Sequence, residues 1–363
     1  MDRVLLWGWY GFENIGDDLL LKTALEHLHG EITVPMKSMY TLPGVKQVPR
    51  SYKKLLFGAF HQDAVVIGPG GLFPFDQKSK VLLYYMATGL WRLMRRRVAF
   101  FGIGISEKMS RFSAFLWRRM ARRADLFLPR SEKVLERLGL TETNKIHAMA
   151  DCVFASDTIQ GTAPIDSNIV AVSVANFRSG DQSAVQDAVT KWVDVVKMLL
   201  AKGYRVDLIA FSKGSDDEMV DAIAASPQLV GMGKIRPIHY SDITNVVIDN
   251  WSQYKFAICM RFHSLVLSVL NGVPALPIAY GHKTFALAKK CGLADYTLVW
   301  NTYQSEYFGQ CLDISSNQIC EKADQLCAHL DDVHKELLER RKVLIDSATA
   351  AFAQLNAVLY EKR

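Results

Sequence analysis

Three basic segments carry the residue types on which chemistry can be built. They are Pro129-Arg130-Ser131, Met260-Arg261-Phe262-His263-Ser264 and Tyr280-Gly281-His282-Lys283. Each follows an apolar run and precedes an amphipathic one, so each reads as the junction of a strand with a helix. Arginine offers a planar fork that matches carboxylate or phosphate, and lysine offers a mobile point charge. Histidine is the group whose ordinary titration range suits proton transfer near neutrality. Lys283 comes 20 residues after His263, and one helix, one turn and one strand can bring the two loops side by side. Arg130, Arg261 and Lys283 could then converge on one small ligand with two or three negative charges, with His263 as the titratable group among them. Isolated arginines at strand ends also serve as surface ion-pair partners, and the recurrence of four basic groups at such ends favours an anion site.

Two further junctions are rich in glycine. Gly8-Trp9-Tyr10-Gly11-Phe12-Glu13-Asn14-Ile15-Gly16-Asp17-Asp18 links the first strand to the first helix, and Gly68-Pro69-Gly70-Gly71-Leu72-Phe73-Pro74-Phe75-Asp76 follows the next apolar run. Helix N-termini at such places offer free N–H groups and a partial positive charge to an anion. Asp17 and Asp18 suit either a helix's first turn or a role in the site, and Asp216-Asp217-Glu218 reads as a helix start. The chain has no phosphate-binding G-x-x-x-x-G-K-[ST], no G-x-G-x-x-G in the first loop and no G-x-S-x-G nucleophile elbow. No His, Cys and Asp cluster has metal spacing, and no metal is expected.

The elements that must position these residues alternate. Strands are expected at Arg3–Trp9, Ala64–Ile67, Val98–Ile105 and Leu126–Pro129, with helices at Asp17–Leu28, Val81–Leu93, Phe112–Arg123 and Ser131–Leu138. After a polar stretch at Gln160–Asn168 the pattern restarts. Strands fall at Ile169–Val174, Arg205–Phe211, Phe256–Met260 and Ala275–Ala279, and helices at Ser183–Lys202, Asp216–Ala225, Ser264–Leu270 and Thr284–Cys291. Such alternation implies an α/β protein with parallel sheets covered by helices. The restart implies two Rossmann-like domains facing a cleft, residues 1–160 and 165–315, followed by C-terminal helices over 316–363. Ligands of such sheets collect beyond the carboxyl ends of the strands.

The composition fits that reading. The 363 residues are 50% hydrophobic and 22% charged, enough for a sizeable core and far from a disordered or fibrous chain. The six cysteines form no C-x-x-C pair and read as buried thiols of a reducing compartment. No signal peptide and no membrane span is evident, so a cytoplasmic protein is expected. The net charge of +6 is uneven: Arg92–Arg123 holds ten bases against the single acid Glu107. The bases are interleaved with Trp91, Phe112, Phe115 and Trp117, which suits an anionic membrane face or a solvated helix face. No nucleic-acid motif accompanies the window, and no nucleic-acid partner is expected.

Gly11-x-x-Asn14-x-Gly16-Asp17, the turn at 68–71, Arg130-Ser131, Arg261-x-His263 and Lys283 together resemble the polysaccharide pyruvyl transferase family over roughly residues 4–290. Pro69 interrupts what is usually a glycine triplet, and Asp76 sits about one residue later than the family's acid. The resemblance implies a GT-B-like fold, phosphoenolpyruvate as donor substrate and no cofactor. It implies a sugar diol of a surface polysaccharide or lipid-linked repeat as acceptor, which becomes a cyclic pyruvate ketal. Carried onto this sequence, Arg130, Arg261 and Lys283, with Ser131, Gly70 and Gly71, bind the donor. His263 is the acid/base, with Asp17 or Asp76 as second proton carrier. Asn14, Tyr10 and Phe73 are assigned to the acceptor. The basic window would hold the enzyme at the inner face of the membrane, where such repeats are built. A nucleotide-sugar glycosyltransferase of the same fold and a non-catalytic glycan-binding protein at the membrane are the alternatives.

Overall fold

The computed structural model describes residues 3–38, 42–71, 78–104, 109–161, 167–175, 182–240, 250–299 and 314–361. They form two units: Met1–Phe12, Asp17–Asp157 and Leu344–Arg363 make the first, Glu13–Gly16 and Thr158–Val343 the second.

The first unit is built on six parallel strands, β1 (Arg3–Trp7), β2 (Glu31–Met36), β3 (Lys46–Pro49), β4 (Ala64–Ile67), β5 (Arg97–Ile103) and β6 (Leu126–Pro129), in the order β3-β2-β1-β4-β5-β6. Leu5 lies level with Thr33 on one side and Val65 on the other. Helices α1 (Ile15–His27), α2 (Tyr52–Phe57), α3 (Lys78–Leu93), α4 (Arg111–Arg123) and α5 (Glu132–Leu138) connect them. The central strands are buried along nearly their whole length, as expected where helices cover both faces. The core is aromatic. Trp7, Trp91, Trp117, Phe100 and Phe127 are fully buried, and Trp7 Nε1 donates to the Tyr84 hydroxyl at 2.7 Å.

The second unit repeats the plan with β7 (Ile169–Val174), β8 (Arg205–Ala210), β9 (Ile235–Ile238), β10 (Phe256–Cys259), β11 (Ala275–Ala279) and β12 (Leu298–Val299), all parallel, in the order β12-β11-β10-β7-β8-β9. Its helices are α6 (Gln182–Ala201), α7 (Ser215–Ala224), α8 (Phe262–Asn271), α9 (His282–Lys290), α10 (Ser316–Cys327) and the first part of α11 (Leu330–Tyr360). Counted within each sheet, both have the strand order 3-2-1-4-5-6. The order therefore reverses between β1 and β4 in one sheet and between β7 and β10 in the other, where such sheets receive ligands.

The C-terminal helices expected over 316–363 are present as α10 and α11, and packing divides α11 between the two units. Val333 and Leu337 of α11 are buried in the second unit, whereas Ala348, Ala351, Phe352, Leu355 and Leu359 form a stripe buried in the first. By length and composition α11 could cross a membrane, but Phe352 stacks on His27 and packs against Phe101 as a core residue does. The expectation omitted β2, β3, β9 and the two-residue β12. The first three each contain a proline, Pro35, Pro49 or Pro237, which argues against a strand on local grounds. Yet residues 32–36 of β2 are buried, so tertiary packing overrides the local signal.

Candidate functional site

In the second unit the site begins at Ser173, near the end of β7. Its hydroxyl accepts from the backbone N–H of Met260 (3.2 Å) and Arg261 (3.3 Å) and donates to Ser264 Oγ at 2.7 Å. Ser264 Oγ in turn donates to the Arg261 carbonyl at 2.6 Å. These bonds fix the turn from β10 into α8, whose N-cap is Arg261. The guanidinium of Arg261 forks onto Asp216 of α7: Nε donates to Oδ2 at 2.8 Å and Nη2 to Oδ1. Since β7 lies between β10 and β8, this fork crosses the end of β7. Burial works against the charge of Arg261, but the fork and the charge of Asp216 outweigh it and hold the guanidinium above its ordinary value. From sequence Asp216 is expected as part of a helix start. It is in the first turn of α7, and it is also the buried partner of Arg261.

His263 stands in the first turn of α8, its Nε2 shielded from solvent. The ring lies against Gly16, where a Cβ would fall 2.1 Å from Nδ1, so only glycine fits. Gly16 is held there by the rest of its segment. Asn14 Oδ1 accepts from Gly16 N (2.9 Å), Asn14 pairs as an antiparallel bridge with Ser212, and Ile15 N donates to the Phe211 carbonyl (2.9 Å). Lys213 Nζ reaches Glu13 Oε1 at 2.6 Å. The spacing N-x-G thus builds a wall for His263, and Asn14 Oδ1 is occupied with that turn. Lys283 arrives as the spacing requires. β10 and β11 are neighbours, with Ala257 level with Ala275, and the exposed Lys283 ammonium lies 5.2 Å from the Phe262 ring centroid. The His263 ring meets the same Phe262 side chain edge-on, at 5.1 Å between centroids, so His263 and Lys283 both lie against one aromatic ring.

In the first unit Arg130 follows β6. Its Nη1 donates to Asp151 Oδ2 at 2.6 Å, and both side chains are nearly buried. A Cβ at Gly104 would lie 2.8 Å from Arg130 Nη2, and one at Gly71 would lie 4.0 Å away. Gly70 has φ +133°, a conformation that favours glycine, and Asp17 Oδ1 lies 3.5 Å from its Cβ position. The unit therefore gathers Asp17, Gly70, Gly71 and Arg130 at the carboxyl ends of its strands. Ser131 is the N-cap of α5, accepting from Lys133 N at 3.2 Å.

One assignment is corrected. Tyr10 is fully buried and its hydroxyl donates to the Gly68 carbonyl at 3.2 Å. Its ring folds back over Gly8, which has no side chain to resist it, so Tyr10 presents no face to an acceptor. Phe73 and Asp76 lie outside the described residues. Sequence reasoning missed Asp151, Gly104 and Arg50. Arg50 follows β3, its Nη1 donates to the Gly8 carbonyl, and its guanidinium lies 4.2 Å from the Trp7 ring. Among the described residues no group of three or more His, Cys, Asp or Glu is placed to hold a metal.

The fold is shared widely at low identity. A proposed UDP-N-acetylglucosamine 2-epimerase from Listeria monocytogenes superposes with a TM-score of 0.62 at 12% identity, over 98% of this chain and 96% of the other. A glycosyltransferase from Rickettsia africae gives 0.57 at 11% identity, over 99% of each chain. These likenesses establish a GT-B-like α/β fold of two Rossmann-like units and nothing of the reaction. The amylovoran biosynthesis protein AmsJ of Erwinia amylovora is 23% identical over 46% of this chain, and the match spans 44% of that protein's length. The family model described as polysaccharide pyruvyl transferase matches residues 14–282, which include Asn14, Asp17, Arg130, Arg261 and His263. The chain belongs to the polysaccharide pyruvyl transferase family.

Proposed function

We propose that the protein transfers the pyruvyl group of phosphoenolpyruvate to a sugar diol of a surface polysaccharide or lipid-linked repeat unit, giving a cyclic ketal and phosphate. The observation that carries this reading is His263, walled by Gly16 and two residues from an arginine held by a buried aspartate. The donor is a dense anion with a phosphate and a carboxylate. Arg261 and Lys283 supply its counter-charges, and Asp216 holds the Arg261 guanidinium in a fixed orientation, so little reorganisation accompanies reaction. His263 delivers a proton to the donor CH2, which becomes the methyl group and leaves C2 cationic. One acceptor hydroxyl attacks C2 and gives its proton to a base, for which Asp17 is the described candidate. The C2–O bond to phosphate then breaks, the second hydroxyl closes the ring on C2, and its proton leaves with phosphate. Two hydroxyl protons are released and one is consumed at carbon, so the step balances.

Thermal titration tests the donor. A ligand at 100 times its dissociation constant that binds only the folded state adds about 2.7 kcal/mol. Phosphoenolpyruvate is expected to stabilise the chain well beyond inorganic phosphate, and Arg261→Ala to abolish the difference. Stabilisation by UDP alone would overturn the reading in favour of a nucleotide-sugar transferase.

The acceptor's membrane carrier has a matching surface. Among the described residues, seven of the nine exposed large hydrophobic side chains are Phe57, Phe60, Leu82, Met86, Leu93, Phe112 and Phe115, all on or beside α2, α3 and α4. The three helices contain no acidic residue, and α4 exposes Arg111, Arg119, Arg122 and Arg123 around its two phenylalanines. Apolar side chains inside a basic field suit the face of an anionic bilayer. Co-sedimentation with vesicles containing anionic lipid, lost on Arg119→Gln with Arg122→Gln, is the expected result. Equal binding to neutral vesicles, or none, would overturn it.

A further inference from the structure

We propose that Arg50, with the stacked rings of Trp9 and Phe12, binds an anionic group carried by the glycan acceptor, a carboxylate or a phosphate. The word acceptor rests on the reading above; the anion subsite does not.

Arg50 stands at the carboxyl edge of the first sheet. Its backbone N–H donates to the Met36 carbonyl at 2.8 Å, extending the ladder between β2 and β3 by one residue. The side chain turns over the end of β1. Nη1 donates to the Gly8 carbonyl, and the guanidinium lies 4.2, 5.2 and 5.9 Å from the ring centroids of Trp7, Trp9 and Phe12. Nη2 is shielded from solvent, and the neutral hydroxyl of Tyr84 is the polar side chain that interacts with the guanidinium, without a charge to answer it. Burial pushes the guanidinium below its ordinary value. The phenols of Tyr84, Tyr52 and Tyr10 and the carboxylate of Asp17 act in the opposite direction without restoring it.

Arg3, Arg92, Arg96, Arg130 and Arg261 each have a carboxylate within ion-pair distance. Among the described residues Arg50 has none. A guanidinium does not shed its proton to escape this, because even a lowered value leaves it charged at neutral pH. A buried, unpaired charge is expensive, and a fold that keeps one at the ligand-binding edge of a parallel sheet has a counter-charge to receive from outside.

The surroundings define the chemical class. Trp9 and Phe12 stack face to face at 3.8 Å with 11° between their planes, and both are half-buried, which gives a flat apolar platform with solvent access. The exposed Lys37 places a second ammonium 5.2 Å from the Phe12 ring. Aromatic faces receive the C–H side of a sugar ring, while the two cations receive a negative group beside it. A uronate and a sugar phosphate share this chemistry. Asp17 is close enough to act on the Arg50 charge, so an anion on Arg50 is bound within electrostatic reach of the residue assigned to the acceptor hydroxyl.

The test uses the full chain without donor and reads tryptophan fluorescence. The probes are methyl β-D-glucuronide, α-D-glucose 1-phosphate and the neutral methyl β-D-glucoside, with phosphoenolpyruvate titrated in parallel. One anionic sugar is expected to bind at least about tenfold more tightly than the glucoside, and which one distinguishes carboxylate from phosphate. Arg50→Gln is expected to erase that preference and leave phosphoenolpyruvate affinity within about twofold. Equal binding of charged and neutral sugars, no binding of either anionic sugar, or an unchanged preference in Arg50→Gln overturns the proposal. Should Arg50→Gln fail to fold, Lys37→Gln, at an exposed side chain, must still weaken the anionic sugar and spare the glucoside. Anionic-sugar binding without phosphoenolpyruvate binding removes the pyruvyl reading and leaves the subsite. The reverse removes the subsite and leaves the reading.

Discussion

Arg261 and Arg50 are both guanidiniums drawn largely out of water at the carboxyl edge of a parallel sheet, and their surroundings push them in opposite directions. Arg261 is held above its ordinary value because Asp216 answers its charge with a fork; Arg50 is pushed below it by burial, and among the described residues no carboxylate pairs with it. In the second unit the geometry is already fixed: Ser173 and Ser264 pin the turn, Asp216 pins the arginine, and Gly16 walls the histidine. The first unit does the same for Arg130 through Asp151 but leaves Arg50 unanswered. A prepared counter-charge suits a donor that is the same in every turnover. An unanswered one suits recognition, since only a ligand bringing its own negative charge relieves it.

Four measurements would break or sharpen this contrast, from the largest effect down. If the second unit holds the chemistry, His263→Ala lowers kcat by roughly 10²–10⁴-fold while phosphoenolpyruvate affinity stays near the parent's. Turnover within a few-fold of the parent would take His263 out of the reaction. On stability, Asp216→Ala strands a buried guanidinium and should cost about 3 kcal/mol in urea unfolding, whereas Arg50→Met removes an unanswered charge and should cost less than about 1 kcal/mol or stabilise. Equal losses would erase the distinction between the two arginines. Glycine substitutions separate the walls from the neighbours. Gly16→Ala drives a methyl into the His263 ring and should cost about 1–3 kcal/mol and most of kcat, while at Gly104 the obstacle is the far end of the Arg130 side chain, so the loss should be under about 1 kcal/mol.

The smallest effect concerns pH. Burial pushes the Cys259 thiol, just before the Arg261 turn, up to about 11, while the unfolded thiol ionises near 9. The folded state therefore holds this proton more tightly, and its contribution is present below pH 9 and lost as pH rises toward 11. The melting temperature should fall across that window, and Cys259→Ala should flatten the slope.

The Arg261 turn was legible in sequence because everything it needs is local: an apolar strand, two polar residues and an apolar helix in one run. Its proximity to Lys283 followed from the length of a single βαβ repeat. Asp216 was legible only as a helix start, since nothing local says which arginine reaches across β7. Arg50 was illegible for the same reason on a larger scale. In sequence it stands in a proline- and lysine-bearing stretch, and its environment comes from Trp7, Gly8, Trp9 and Phe12, which only the order β3-β2-β1 brings near. Tyr10 misled because an aromatic beside glycines looks presented, whereas Gly8 lets it fold inward.

The division of the chain also governs its synthesis. Glu13–Gly16 belong with residues such as Phe211 and Ser212, made roughly two hundred residues later, so the wall against which His263 rests cannot form when its own segment leaves the ribosome. The first sheet waits longer still, because Phe101 meets Phe352 and Arg97 meets the Leu359 carbonyl only after Leu344–Arg363 has been made. Neither unit is complete as a contiguous stretch of nascent chain, and a ribosome stalled between them would hold the six strands of the first sheet without the C-terminal helix that completes their packing.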